Sequence, residues 1–136
     1  MTVYEYLEQV KNLDNAINEK LALKEHIWAL ATKVSSSLDG VSAGGGVSDK
    51  VGNGVVRLRE WAAEVDALID TYIDRKQEVI ESLGKLSDDK QASVLYRYYV
   101  VGETWEEIAA NMGYTYVHVW RIKKAAIENM RNILEM

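Results

Sequence analysis

The chain contains no cysteine, no proline and no phenylalanine. Without cysteine there is no disulfide scaffold, no thiolate zinc site and no thiol nucleophile. Without proline the strongest helix breaker is missing across all 136 residues, which favours long uninterrupted helices. Long apolar runs are missing too. Met1 to Val10 carries Glu5 and Glu8 and reads as neither signal peptide nor membrane span, so a cytoplasmic protein with no membrane partner is expected. Histidine occurs only at His26 and His118, with no paired spacing for zinc. The acidic pairs Asp88–Asp89 and Glu106–Glu107 stand at helix starts, where the helix dipole accounts for them. Asp66, Asp70 and Asp74 recur every fourth residue as a solvated helix face. No nucleophile–base arrangement is legible, so the reading is a protein without enzymatic activity, metal or cofactor.

Charge adds a second bound. The net charge is −5, which argues against a general nucleic-acid coat. Residues 1–86 hold ten Lys/Arg against fourteen Asp/Glu, and residues 87–136 hold six against seven. Between Tyr116 and Arg131, however, four basic residues (Arg121, Lys123, Lys124, Arg131) face only Glu128. A weakly basic segment on an acidic chain implies modest DNA affinity per copy, raised by oligomerisation or a protein partner.

Apolar periodicity predicts an all-α fold: a long antiparallel helical hairpin, residues 1–85, followed by a small three-helix helix-turn-helix domain, residues 86–136. The first helix is expected over about 3–38, with Val3, Tyr6, Val10, Leu13, Ile17, Ile27, Ala31, Val34 and Leu38 at heptad spacing. Lys20 and Lys24 break the seam, and Leu21 and Trp28 are expected to widen it. A second helix is expected over about 55–83, striped by Leu58, Ala62, Val65, Ile69, Tyr72, Val79 and Leu83, with Lys76 as its polar interruption. Residues 39–54, with six glycines, read as a flexible loop; a phosphate-binding glycine loop would need the order G-x-x-x-x-G-K-[ST] and a preceding strand. Trp28 and Trp61 are expected to close the loop end as a small cluster. A two-helix hairpin buries little surface, so it is expected to pair with another copy or to pack on the C-terminal domain.

Gly84 reads as the cap of the second helix, and Ser87 as the N-cap of a third that runs to about Val101 and stops at Gly102. Leu95, Tyr98 and Tyr99 are expected to face the helix-turn-helix core. The motif itself is TWEEIAANMGYTYVHVWRIKK, Thr104 to Lys124. Thr104 and Glu107 make a capping box, Ala109 is small where two helices cross, Gly113 permits the turn, and Thr115 caps the last helix. Val119, Ile122, Ala126, Ile127 and Met130 then recur at spacings of three and four. Such a pair is built to lay its second helix in a DNA major groove; a purely structural corner between helices is the plainer alternative.

Leu95, Arg97, Tyr98 and Gly102, followed by Trp105, Glu107, Ile108, Ala109, Met112 and Gly113, and closed by Val119, Arg121, Ile122, Ala126, Ile127 and Met130, resemble region 4 of bacterial sigma factors. The whole chain looks like a family of small phage and prophage regulators with a helical N-terminal part, a glycine-containing loop and a sigma-region-4-like end. The resemblance is specific over about residues 86–131 and architectural before that. It implies groove-facing positions at Tyr116, Val117, Trp120 and Arg121, with Lys124 towards the backbone, in the cytoplasm of a bacterial host. In sigma factors those positions are usually charged or amide residues, whereas here two are aromatic and one is valine. By side-chain chemistry Arg121 suits a guanine, Tyr116 and Val117 suit a thymine methyl, and His118, Lys123, Lys124 and Arg131 suit phosphates. Trp120 has two readings, contact with DNA or packing against the hairpin or a second subunit.

Three functions follow from these residues. The first is a phage-type transcriptional regulator that binds double-stranded DNA, forms a homo-oligomer through its N-terminal helices and contacts host RNA polymerase. The second is a DNA-packaging assembly protein like a small terminase subunit, although those usually place the DNA-binding helices first. The third is a protein-interaction module whose helix-turn-helix no longer binds DNA.

Overall fold

Thr2 opens the first helix. Its Oγ1 accepts from the Glu5 backbone N–H at 3.1 Å and its carbonyl from Tyr6 at 2.9 Å, so two first-turn donors find acceptors. Helix α1 spans Val3–Asp39 and α2 spans Val47–Leu83; α3 (Asp89–Tyr96), α4 (Trp105–Met112) and α5 (Tyr116–Leu134) complete an all-α chain. The computed structural model describes residues 1–39 and 47–136, with side chains described for 1–36 and 52–136. There is no strand among the described residues. No described helix is long and apolar enough to cross a membrane.

The expected loop at 39–54 needs correction. Residues 47–54 form the opening turns of α2, and Asp39 ends α1; residues 40–46 and the side chain of Leu38 lie outside the described residues. A helical glycine costs about 1 kcal/mol, which is modest once a helix is already nucleated and needs only extension. Val47, Val51 and Val55 also recur every fourth residue there.

Packing divides the chain into two units, one of Asn15–Ile73 and one joining Met1–Asp14 to Asp74–Met136. Within the first unit the two long helices run antiparallel and bury Ile27, Ala62, Val65 and Ile69, with Ile17, Leu23 and Leu58 against them. Lys24, a break in the apolar seam, remains at the contact because its Nζ meets Asp66 at 2.8 Å. Leu21 and Trp28 do not widen the seam; they are 44% and 47% exposed. Nor do Trp28 and Trp61 close the helix pair as a cluster. Trp28 lines a hollow with Thr32 and Arg59, and Trp61 a different one with Leu30 and Leu58. One residue along a helix is a rotation of 100°, enough to carry a side chain past the contact line.

The second unit holds the larger core. Val3, Tyr6, Leu7 and Val10 of α1 meet Val79 and Leu83 of α2, Leu95 of α3, Tyr99, and Ala126, Ile127 and Met130 of α5. Lys76 pairs with Asp14, and the Arg75 Nε donates to Gln9 Oε1 at 3.0 Å. The helix ends thus pack on the C-terminal helices, and the division does not fall at residue 85. Leu95 and Tyr99, expected in the helix-turn-helix core, belong to this cluster instead, Leu95 one residue and so about 100° round the helix from Val94 in the other core, while Tyr98 packs against both.

Two outcomes follow. A fragment of residues 86–136 loses every partner that Leu95, Tyr99, Ile127 and Met130 find on α1 and α2. It should show no cooperative thermal transition by circular dichroism, where the full chain does; a cooperative melt of the fragment would show that its own core suffices. Burial pushes the Tyr99 phenol well above its ordinary value of 10.0, with Tyr98, Glu8 and Tyr4 adding to the effect. The unfolded phenol ionises near pH 10 while the folded one stays protonated, so stability is full below about pH 10 and falls as pH rises past it. Denaturant midpoints on either side of that pH should separate less in Tyr99→Phe than in the native chain.

Candidate nucleic-acid interface

The approach to the helix-turn-helix is fixed by caps and a sharp stop. Asp88 caps α3, its carboxylate accepting from Lys90 N at 2.9 Å and Gln91 N at 3.2 Å. The expected cap at Ser87 is therefore one residue early; a carboxylate offers more acceptor capacity than a hydroxyl and gains from the helix dipole. After Tyr96 the helix widens into a π-helical turn, Arg97–Val101, and ends at Gly102 with φ of 90°. The Gly102 and Glu103 N–H groups both donate to the Arg97 carbonyl at 3.0 Å. The Arg97 guanidinium reaches Glu103 at 3.2 and 3.3 Å, and Asn111 of α4 donates to the same carboxylate at 3.2 Å. One acid thereby ties the end of the π turn to α4.

Helix α4 begins at Thr104, whose Oγ1 accepts from Glu107 N at 3.2 Å, and ends at Gly113 with φ of 72°. A Cβ at Gly113 would meet nothing within 4 Å, so glycine is favoured there by backbone conformation and not by crowding. Thr115 repeats the cap for α5, accepting from His118 N at 3.2 Å. The two helices and α3 close over Val94, Ile108, Ala109 and Val119, all buried, with Met112 and Ile122 packed alongside. Ala109 occupies the close approach expected of it.

An aromatic stack sets the position of α5. Tyr98 lies flat on Trp105, centroids 3.9 Å apart at 8°, and Tyr99 meets Tyr98 edge-on at 4.9 Å. The Lys123 ammonium covers Trp105 at 4.8 Å from its centroid and lies 5.9 Å from that of Tyr4. Such cation–π contacts contribute about 0.5–1 kcal/mol where exposed and more where water is excluded. One face of Tyr98 is therefore covered by Trp105.

The eight residues singled out on the last helix fall into distinct surroundings. Tyr116, Val117 and Trp120 are 49%, 57% and 48% exposed, and Arg121 and Lys124 are exposed beside them. Arg121 has no ion pair or side-chain hydrogen bond among the described residues. The Trp120 ring, half exposed, carries the Lys124 ammonium at 5.2 Å. His118 is exposed and meets Tyr114 edge-on at 4.7 Å. The other two are engaged elsewhere. Lys123 is half-buried on its aromatic bed, and Arg131, far along α5, holds Glu128 at 2.6 Å. Two neighbours escaped the sequence reading: Lys90, whose ammonium lies 5.9 Å from the Tyr114 centroid, and Tyr114 itself. Only the packing of α3 on α5, where Asn129 donates to Gln91 at 2.7 Å, brings Lys90 beside the start of the last helix.

The surface that results is one exposed face on the first two turns of α5, cationic at Arg121 and Lys124 and apolar at Val117, Tyr116 and Trp120. No family model, curated protein or solved structure matches the chain.

Gly113→Ala should destabilise the fold by about 1 kcal/mol, and Gly113→Asn by less, because only the left-handed backbone opposes the side chain. Chemical denaturation of the two variants checks the order. Equal, larger losses would mean that Gly113 is needed for space.

Proposed function

We propose that the chain is a sequence-specific DNA-binding transcriptional regulator of phage type, which lays the start of α5 in the major groove and oligomerises through its N-terminal helices. The observation that carries this reading is Arg121. It stands on the outer face of a capped, glycine-turned helix pair, exposed and without an ion pair or side-chain hydrogen bond among the described residues. A guanidinium in that position is free to make the paired hydrogen bonds that distinguish guanine. Lys124 on the same face and Lys90, over Tyr114 before the start of the helix, are candidates for phosphate contact, while Val117 and Tyr116 offer apolar surface to a thymine methyl. The resemblance to sigma region 4 supports the same use of α5 and makes host RNA polymerase the natural protein partner in a bacterial cytoplasm.

A second reading rests on Tyr116, Val117 and Trp120. Three large apolar side chains exposed on adjoining turns also suit a protein-binding surface, as in an interaction module that no longer contacts DNA. A DNA-packaging role has no comparable observation in its favour.

Selection of binding sites from random duplex DNA, followed by titration of the enriched site against salt, separates these readings. Lys124→Ala should lower the slope of log K against log salt by about 0.9 and leave the preferred sequence unchanged. Arg121→Ala should cost about 1–3 kcal/mol on the preferred site and relax the choice at one base pair. Failure to enrich any sequence, with no retention of DNA at low salt, would overturn the regulator and favour the protein-binding surface.

A further inference from the structure

We infer that α2 pairs antiparallel with α2 of a second copy of this chain, about a two-fold axis beside Trp61. Gly54, Trp61 and Leu68 lie seven residues apart and so share one face of α2. Trp61 and Leu68 are 40% and 42% exposed on that face. Beside Gly54 is an open hollow of about 530 Å³, lined by Leu30, Val34, Gly54, Arg57, Leu58 and Trp61. Among the described residues a Cβ at Gly54 would meet only Val34 Cγ1, at 4.0 Å. The same helix therefore carries a knob at Leu68 and a hole at Gly54, at equal distances either side of Trp61.

That arrangement fits itself. In an isologous contact each residue meets its counterpart under the two-fold operation. Antiparallel pairing centred on Trp61 puts Leu68 of each copy over Gly54 of the other and brings the two indoles together at the centre, where tryptophan contributes most to an interface. Charge follows the same symmetry. Arg57 precedes Trp61 by four residues and Glu64 follows by three, so the pairing sets Arg57 of one copy against Glu64 of the other, twice. Both side chains are exposed, and neither has an ion pair or side-chain hydrogen bond among the described residues. The second exposed stripe, Leu21 and Trp28 on α1, lacks this match: Lys24 and Glu25 lie on one side of Trp28, Ala31 and Thr32 on the other. The need for a partner is also visible. Among its described residues the unit Asn15–Ile73 buries Ile27, Ala31, Ala62, Val65 and Ile69, a small core for two helices of this length. This pairing deepens the oligomerisation part of the proposed function and does not depend on DNA.

Sedimentation of the full-length chain without DNA tests it. The native chain should be dimeric at micromolar concentration. Arg57→Glu or Glu64→Arg alone should raise the dimer dissociation constant roughly tenfold by setting like charges together, and the double exchange should restore it. Leu68→Glu should give a monomer with unchanged helix content, and Leu21→Glu should leave the dimer intact. Arg121→Ala/Lys124→Ala should dimerise as the native chain does, so loss of DNA binding and loss of pairing are read separately. A monomeric native chain, a double exchange that stays weakened, or a dimer broken at Leu21 and not at Leu68 would overturn the inference.

Discussion

Burial of Ala126, Ile127 and Met130 against the ends of the two long helices is the contact on which the rest of the structure depends. Helix α5 has two apolar segments on its inner side. The first, Val119 and Ile122, packs on α4; the second is taken up by Leu7, Val10, Val79 and Leu83 and their neighbours. Because both are covered, the side of α5 that carries Val117, Arg121 and Lys124 is left to solvent. The candidate interface is thus a consequence of how the helix is gripped from behind. The Tyr98–Trp105–Lys123 stack then fixes the rotation of α5 by covering the cation nearest the core and leaving its neighbour Lys124 outside.

Polar residues within the long helices serve the antiparallel contact in the same way. Lys24 and Lys76 interrupt the apolar stripe, yet each sits opposite an aspartate, Asp66 and Asp14 respectively. Partly exposed pairs of this kind contribute little to stability, and their value lies in register: a shift by one residue would take each lysine away from its aspartate. Burial on the two long helices favours one alignment, and the ion pairs penalise its neighbours.

Much of this was legible in the residues. The capping threonines, Gly102, Gly113 and Ala109 behave as their chemistry requires, since each acts through its own backbone or a neighbour three to four positions away. The helix stripes were legible for the same reason. What escaped was non-local. Nothing in the spacing of Leu95 and Tyr99 says which of two cores they enter, because both sides of α3 are apolar and only tertiary packing assigns them. The boundary at residue 85 followed the glycine at 84, whereas the core crosses it. Lys90 is far from α5 in sequence, and only the packing of α3 makes it a neighbour of Tyr114, just before the start of α5. The glycines at 52 and 54 suggest a loop by intrinsic propensity alone, and the low cost of extending an existing helix outweighs it. At the candidate interface, Arg121 and the exposed apolar group were readable from the helical period, while the separate engagement of Lys123 and Arg131 was not.

In the proposed function the chain presents the first two turns of α5 to DNA. Titration of the isotopically labelled full-length protein with a mixed-sequence duplex at low salt, followed by amide and side-chain NMR shifts, tests it most directly. The account predicts perturbations concentrated at residues 115–124, at the Arg121 guanidinium and at Lys90, with the Trp120 indole among them and residues 15–73 unmoved. Perturbations confined to residues 15–73, or none at all, would contradict it.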